Sequence, residues 1–364
     1  MKKSIMVPAT ALMAASALLL SACGEAPEKS SEGDGKGSDF KACMVSDSGG
    51  WDDKSFNQSS KAGLEKAVKD FNIKEKDVES KEDSDYKPNV DNMIQQGCNL
   101  TFGVGFLLED ALQEAAENNT DMHFALVDAM FEDTDNKPVK LDNAKPLVFN
   151  TAEASYLAGY LAAGMSESGK VATFGGMQIP SVSIFMDGFA DGVKKYNEDK
   201  GKDVKLLGWD KDKQEGSFSG DFENQGQGKA LTEQFISQGA DIIMPVAGPV
   251  GLGAASAASK ADGTKIIWVD SDGYEYAPEY KDVMLTSVKK EIARSVYETI
   301  KASKDGKWDS APYVGNLENE GVSLAPYHDF EDKVDDGLKK EVEDLKQQII
   351  DGEISVESPS APQQ

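Results

Sequence analysis

Short β-rich runs recur along the chain at Lys41 to Ser46, Leu100 to Gly105, His123 to Asp128, Lys170 to Gly176, Asp203 to Trp209, Asp241 to Ala247 and Lys265 to Asp270. Helical periodicity fills the gaps between them. Leu64, Ala67, Val68 and Phe71 share one face after Ser55, a candidate N-cap, and Leu231, Phe235 and Ile236 repeat that spacing before Gly239. Strands that alternate with helices bury both sheet faces, which predicts parallel α/β sheets. At 364 residues the chain is longer than one compact core usually organises, so the successive blocks of strand-helix units predict two similar lobes facing a cleft.

In such sheets ligands bind beyond the carboxyl ends of the strands, where loops and helix N-termini converge. Those ends carry Asp47, the turn Gly103-Val104-Gly105, Asp128, Gly175-Gly176, Gly248 and Asp270. Polar and small groups that directly follow apolar runs suit a ligand rich in hydroxyls. The formal charge of −26 repels phosphate backbones and anionic lipid surfaces, which argues against nucleic-acid binding. Arg294 is the single arginine, so a neutral ligand is expected over a nucleotide.

Catalytic and cofactor signatures are thin. His123 and His328 are the two histidines, too few for a histidine-rich zinc site or for Ser-His-Asp chemistry among the motifs below. Gly248-Pro249-Val250-Gly251-Leu252-Gly253 does not follow the dinucleotide order, and no P-loop occurs. Asp270-Ser271-Asp272-Gly273 lacks the further oxygen ligands of a calcium loop. No metal, cofactor or catalytic residue is therefore expected.

Lys2 and Lys3 precede an uncharged run from Ser4 to Leu20, the pattern of a secretory leader and marginal as a membrane span. The run closes in Leu20-Ser21-Ala22-Cys23, which resembles a bacterial lipobox. Residues 1–22 are then a lipoprotein signal peptide, and Cys23 becomes the acylated (diacyl and palmitate-bearing) N-terminus on the extracytoplasmic face of the cell membrane. Residues 23–39 read as a flexible tether spanning roughly 20–25 Å, and residues 358–364 as a frayed tail. Cys43 and Cys98 remain as an even pair in an oxidising compartment, open to either a disulfide or two buried thiols.

Asp47-Ser48-Gly49-Gly50-Trp51-Asp52-Asp53-Lys54-Ser55-Phe56-Asn57-Gln58-Ser59 resembles the N-terminal signature of the basic membrane protein family of binding lipoproteins. The likeness continues colinearly through Gly103 to Asp110, Glu153 to Gly159, Gly175 to Pro180, Asp187 to Phe189 and Gly239 to Ile243. Trp51 stands where many relatives have phenylalanine, and Asn224 where the family often shows aspartate. The resemblance implies a type I periplasmic-binding-protein-like fold, with two doubly wound parallel-sheet lobes, a ligand cleft between them and three crossovers. It divides the chain into residues 40–150 plus about 271–320 for the N-terminal lobe and 151–270 plus about 321–357 for the C-terminal lobe.

The family also implies a function: a lipid-anchored, monomeric solute-binding protein that delivers a purine nucleoside to an ABC transporter permease, without enzymatic turnover. An adhesin or sensor with the same fold is the alternative, and a metal-dependent nucleoside hydrolase the enzymatic one. Carried over position by position, the ligand-binding residues are Asp47, Phe56, Asn57, Asp128, Phe222, Gly248, Asp270 and Lys290. Phe56 and Phe222 would stack the base, Asp128 would accept from its edge, and Asp270 with Lys290 would grip the ribose. Phe218 and Lys289 compete for two of these places, and spacing to the downstream motifs selects Phe222 and Lys290.

Overall fold

The computed structural model describes residues 39–135 and 137–362. Cys23 and the stretches read above as leader and tether, up to residue 38, lie outside the described residues. Among those described, no helix is long and apolar enough to cross a membrane.

The chain begins β1 (Lys41–Ser46), α1 (Phe56–Phe71), β2 (Lys74–Glu79), α2 (Tyr86–Gln95), β3 (Leu100–Val104), α3 (Glu109–Asn118), β4 (His123–Val127) and β5 (Ala144–Phe149). Then follow α4 (Thr151–Met165), β6 (Lys170–Gly175), α5 (Pro180–Lys200), β7 (Lys205–Leu207), the small hairpin β8 (Trp209–Asp210) and β9 (Glu215–Gly216), and α6 (Gln225–Ser237). The remainder is β10 (Ile242–Val246), α7 (Val250–Ala258), β11 (Lys265–Asp270), α8 (Gly273–Tyr276), β12 (Met284–Lys290), α9 (Ile292–Lys304), β13 (Tyr313–Gly315), β14 (Val322–Leu324) and α10 (Asp336–Ile350).

Two six-stranded sheets result, ordered β13-β5-β4-β3-β1-β2 and β14-β12-β11-β10-β6-β7. All neighbours in the first sheet are parallel, and the second departs from this only where β14 runs antiparallel to β12. The central strands are buried along nearly their whole length, as helices on both faces require. A disulfide joins Cys43 on β1 to Cys98 ahead of β3, with the two Cα atoms 5.9 Å apart.

The helices exchange lobes. α4 follows β5 of the first sheet yet packs on α5 and β12, while α9 follows β12 of the second sheet yet packs on α1. Glycines let the backbones meet: a Cβ on Gly188 would lie 2.2 Å from the Ala152 carbonyl oxygen, and one on Gly192 would lie 2.0 Å from that of Tyr156. A third passage connects β13 to β14, so three strands of chain run between the lobes.

Two expected boundaries are corrected. Residues 271–290 belong to the second lobe, because β12 continues the register of β11 as far as Asp270 opposite Lys289, and the chain crosses only after Lys290. Residues 358–362 are packed: Ser358 Oγ donates to the buried Asp187 at 2.6 Å, and Ala361 lies against the core.

Candidate ligand-binding site

β1 delivers Asp47 to the cleft, where its backbone N–H bonds the Val104 carbonyl at 3.0 Å. The carboxylate needs Gly105 beside it. That glycine has φ 108°, and a Cβ there would sit 1.8 Å from Asp47 Oδ2. Burial raises the Asp47 pKa well above the usual carboxylate range, against the opposing pull of an Asn57 hydrogen bond.

The loop after β1 is organised by Asp53. Its carboxylate accepts the N–H groups of Ser55 at 2.9 Å, Asn57 at 2.7 Å and Gln58 at 3.0 Å, satisfying the orphan donors at the start of α1. Desolvation nonetheless pushes the Asp53 pKa up to about 6. Ser55 occupies the N-cap position but makes no capping bond. Its hydroxyl instead reaches into the second lobe, 2.9 Å from the Val269 carbonyl and 3.1 Å from Asp270 Oδ2. Two residues on, Asn57 Nδ2 donates to the Ser48 carbonyl at 3.0 Å, while Asn57 Oδ1 is buried with no hydrogen-bond partner among the described residues.

Asp128 directly follows β4 and Asp270 ends β11, and both adopt left-handed backbone, with φ 70° and 68°. Non-glycine residues hold such angles only where surroundings over-determine them, and they cluster at functional sites. Lys290, the last residue of β12, reaches both. Its Nζ is 2.5 Å from Asp128 Oδ2 and 3.1 Å from Asp270 Oδ1. The second approach is an ion pair without hydrogen-bond alignment, which leaves Asp270 Oδ1 able to accept from a ligand. With side chains only 3% exposed for Lys290 and 9% for Asp128, this is no surface salt bridge. Burial works against the ammonium, but Asp128 and Asp270 outweigh it, so the Lys290 pKa is raised. The same Nζ stands 5.4 Å from the Phe56 ring centre and 4.7 Å from that of Phe185.

From the second lobe, Phe222 lies on Gly176, whose Cβ would fall 2.3 Å from the ring. Phe218 packs elsewhere, edge-on to Trp209 with ring centres 6.0 Å apart. Lys289 likewise pairs with Glu291 at 3.2 Å. All of Asp47, Phe56, Asn57, Asp128, Phe222, Gly248, Asp270 and Lys290 line one interlobe cavity, which opens in part to solvent. The lobes are closed over it: Lys54 offers its carbonyl to Ser271 Oγ at 2.9 Å and Trp268 Nε1 at 3.3 Å, and Gly49 N–H donates to Glu223 at 3.1 Å.

Asp53, Phe106, Ser181, Val182, Phe185 and Pro249 also line the cavity, beyond the residues expected from the sequence. An acidic residue three positions before a helix is a readable capping signal for Asp53. Phe185 lies in the apolar run of α5, indistinguishable from core. Neither histidine lines the cavity: His123 stacks on Trp308 and shares a hydrogen with Ser303, and His328 does the same with Tyr274 and Asp272. Asp272 itself caps α8 through Tyr274 N–H. Among the described residues no group of three or more His, Cys, Asp or Glu is placed to hold a metal.

A family model described as ABC transporter substrate-binding protein PnrA-like matches residues 40–360. The ABC transporter nucleoside-binding protein BmpA of Lactococcus lactis subsp. cremoris is 32% identical, over 98% of this chain and 100% of that protein. Basic membrane protein A of Borreliella burgdorferi is 29% identical over 87% of this chain and 88% of its own length. Among solved structures, an ABC transporter solute-binding protein from Aeropyrum pernix K1 superposes with a TM-score of 0.79 at 24% identity, covering 88% of this chain and 94% of that one. A periplasmic solute-binding protein of Actinobacillus succinogenes with bound D-allose shares the fold at a TM-score of 0.59 and 16% identity, over 80% and 99% of the two chains.

Proposed function

This chain belongs to the PnrA-like family of ABC transporter substrate-binding proteins, and we propose that its ligand is a nucleoside, a purine nucleoside for preference, held by stacking and lobe closure. The observation that carries this reading is the pairing, in one cavity, of the aromatic faces of Phe56 and Phe222 with a buried Asp128-Lys290-Asp270 group. A flat base needs the first, and its polar edge and the ribose hydroxyls need the second. In this reading Asp270 and Lys290 grip the ribose, Asp128 accepts from the base edge, and Asp47 with Asn57 supplies further acceptors. The cavity holds four aspartates and one ammonium already shared between two of them, a poor host for a phosphate. The Lactococcus lactis relative, named for nucleoside binding, supports the same choice.

Contacts from both lobes stabilise the closed state, and closure is the signal that an ABC permease reads. The protein acts as a monomer tethered through lipid on Cys23 at the extracytoplasmic face, imports without covalent chemistry and needs no metal or cofactor. Calorimetric titration tests this on the soluble chain from Asp39 onward, stripped of carried-over ligand by unfolding with the disulfide intact. One-to-one binding of a nucleoside without turnover, with nucleotides rejected, is expected. Binding of a free sugar in preference to every nucleoside, or hydrolysis of the glycosidic bond, would overturn the reading.

A further inference from the structure

Beyond α10 the chain returns to the cleft as an anchored segment. Lys211 Nζ donates to the Glu357 carbonyl at 2.5 Å, and Ser358 Oγ donates to Asp187 Oδ2 at 2.6 Å. Asp187 is fully buried in α5, and its other oxygen takes the Trp209 indole N–H and the Gln214 amide, each at 2.9 Å. The anchor is therefore a rigid part of the second lobe. Ser358 then folds the segment back on itself, accepting from Ser360 N–H at 3.0 Å on its hydroxyl and from Ala361 N–H at 3.1 Å on its carbonyl. Pro359 and Pro362 fix two backbone angles and lower the entropy lost in holding this shape.

Residues 359–362 look across to the first lobe. They line a rear cavity together with Phe106, Glu109, Met130 and Glu132 of that lobe and Pro180 and Ile184 of the second. This rear cavity shares Phe106, Asp128 and Ser181 with the ligand cavity, so those three side chains are a common wall. The segment thus bonds to one lobe and faces the other directly behind a ligand-site aspartate.

We infer that residues 358–362 form a strap that travels with the second lobe and shuts the rear of the ligand cavity on closure, slowing ligand release. The inference rests on the nucleoside reading only for its probe. The soluble chain from Asp39 is compared with the same chain ended after Glu357 and with Ser358→Ala and Ser358→Thr, using stopped-flow displacement of bound guanosine. The strap predicts an off-rate about tenfold faster in the shortened chain, a smaller rise in Ser358→Ala and near-native release in Ser358→Thr, with association little changed. Should the shortened chain lose thermal stability, the serine pair decides. Equal off-rates in the stable variants overturn the strap.

Failure of guanosine and every other nucleoside to bind the intact chain would count against the nucleoside reading alone. The strap is then tested without ligand, by hydrogen exchange at residues 105–109 and 129–132 of the first lobe. Faster exchange there in the shortened chain is expected, and unchanged exchange overturns the proposal.

Discussion

The two sheets are wired alike, each ordered sixth-fifth-fourth-third-first-second in its own strands, yet they bring different chemistry to the cleft. The first lobe contributes carboxylates, Asp47, Asp53 and Asp128, and a disulfide that ties its first strand to the turn ahead of its third. The second contributes Phe222, the Gly248-Pro249 turn, Asp270 and Lys290. The shared element is the left-handed aspartate at or directly after the end of the fourth strand of each lobe. By the strand registers, the place that Lys290 occupies in the second lobe is held by Phe149 in the first. Two equivalent carboxylates therefore depend on one ammonium. Duplicated wiring supplies equivalent positions, and the site works because their side chains are not equivalent.

Removing that ammonium attacks the asymmetry at its centre. Lys290→Met leaves Asp128 and Asp270 buried without a counter-charge, and a broken buried pair costs about 3–5 kcal/mol. Denaturant unfolding should show that loss, and titration should show nucleoside affinity falling more than about a hundredfold. A stability change under about 1 kcal/mol would mean that the pair is solvated in solution.

Reducing the disulfide sharpens the comparison from the other side, since only the first lobe has one. Cys43→Ser with Cys98→Ser should cost about 2–5 kcal/mol. Hydrogen exchange should accelerate in β1 and β3 while β6 and β10 keep their protection, and uniform acceleration would show that the lobes do not differ locally.

Glycines after the third strands offer a matched pair. Gly105→Ala must move Asp47, whose oxygen lies 1.8 Å from the new Cβ, whereas Gly248→Ala at φ 51° meets nothing nearer than 4.0 Å. The first should cost about 2–3 kcal/mol and much of the affinity, the second about 1 kcal/mol. Equal losses would contradict the packing described here.

The smallest effect concerns Glu109, whose pKa burial raises to about 7 despite the bond it accepts from Glu132 N–H. Its folded value exceeds its unfolded one, so its stabilising share is complete below the unfolded pKa and is lost as pH rises toward and through 7. The unfolding midpoint of the native chain should fall relative to Glu109→Gln across that window. Parallel pH profiles would remove Glu109 from the account.

Much of the second-lobe framework was legible because its strands are buried on both faces and read as continuous apolar runs; β11 spans Lys265–Asp270 as its run does, and β1 of the first lobe matches equally well. β2 escaped notice because Lys74–Glu79 is a charged, largely exposed edge strand. Pro146 interrupts β5, and β12 ends in two lysines, so neither stood out, and without β12 the lobe boundary fell twenty residues early. In the cavity, Asp47, Asp128, Gly248 and Asp270 were readable as polar or small groups closing apolar runs. Phe56, Asn57, Phe222 and Lys290 came from family likeness alone, since an aromatic or lysine carries no local mark of facing a cleft. Asp53 and Phe185 were hidden by roles that look structural, capping a helix and filling an apolar face.

The exchange of α4 and α9 between lobes has a consequence for engineering. A ligand-binding half cannot be lifted out at a single joint, because either half so cut would keep a helix shaped to its neighbour and surrender its own. A chimaera with one lobe from a relative needs three seams, near residues 150, 291 and 316–321, and must carry both partners of the close-packed α4 and α5 pair from the same parent.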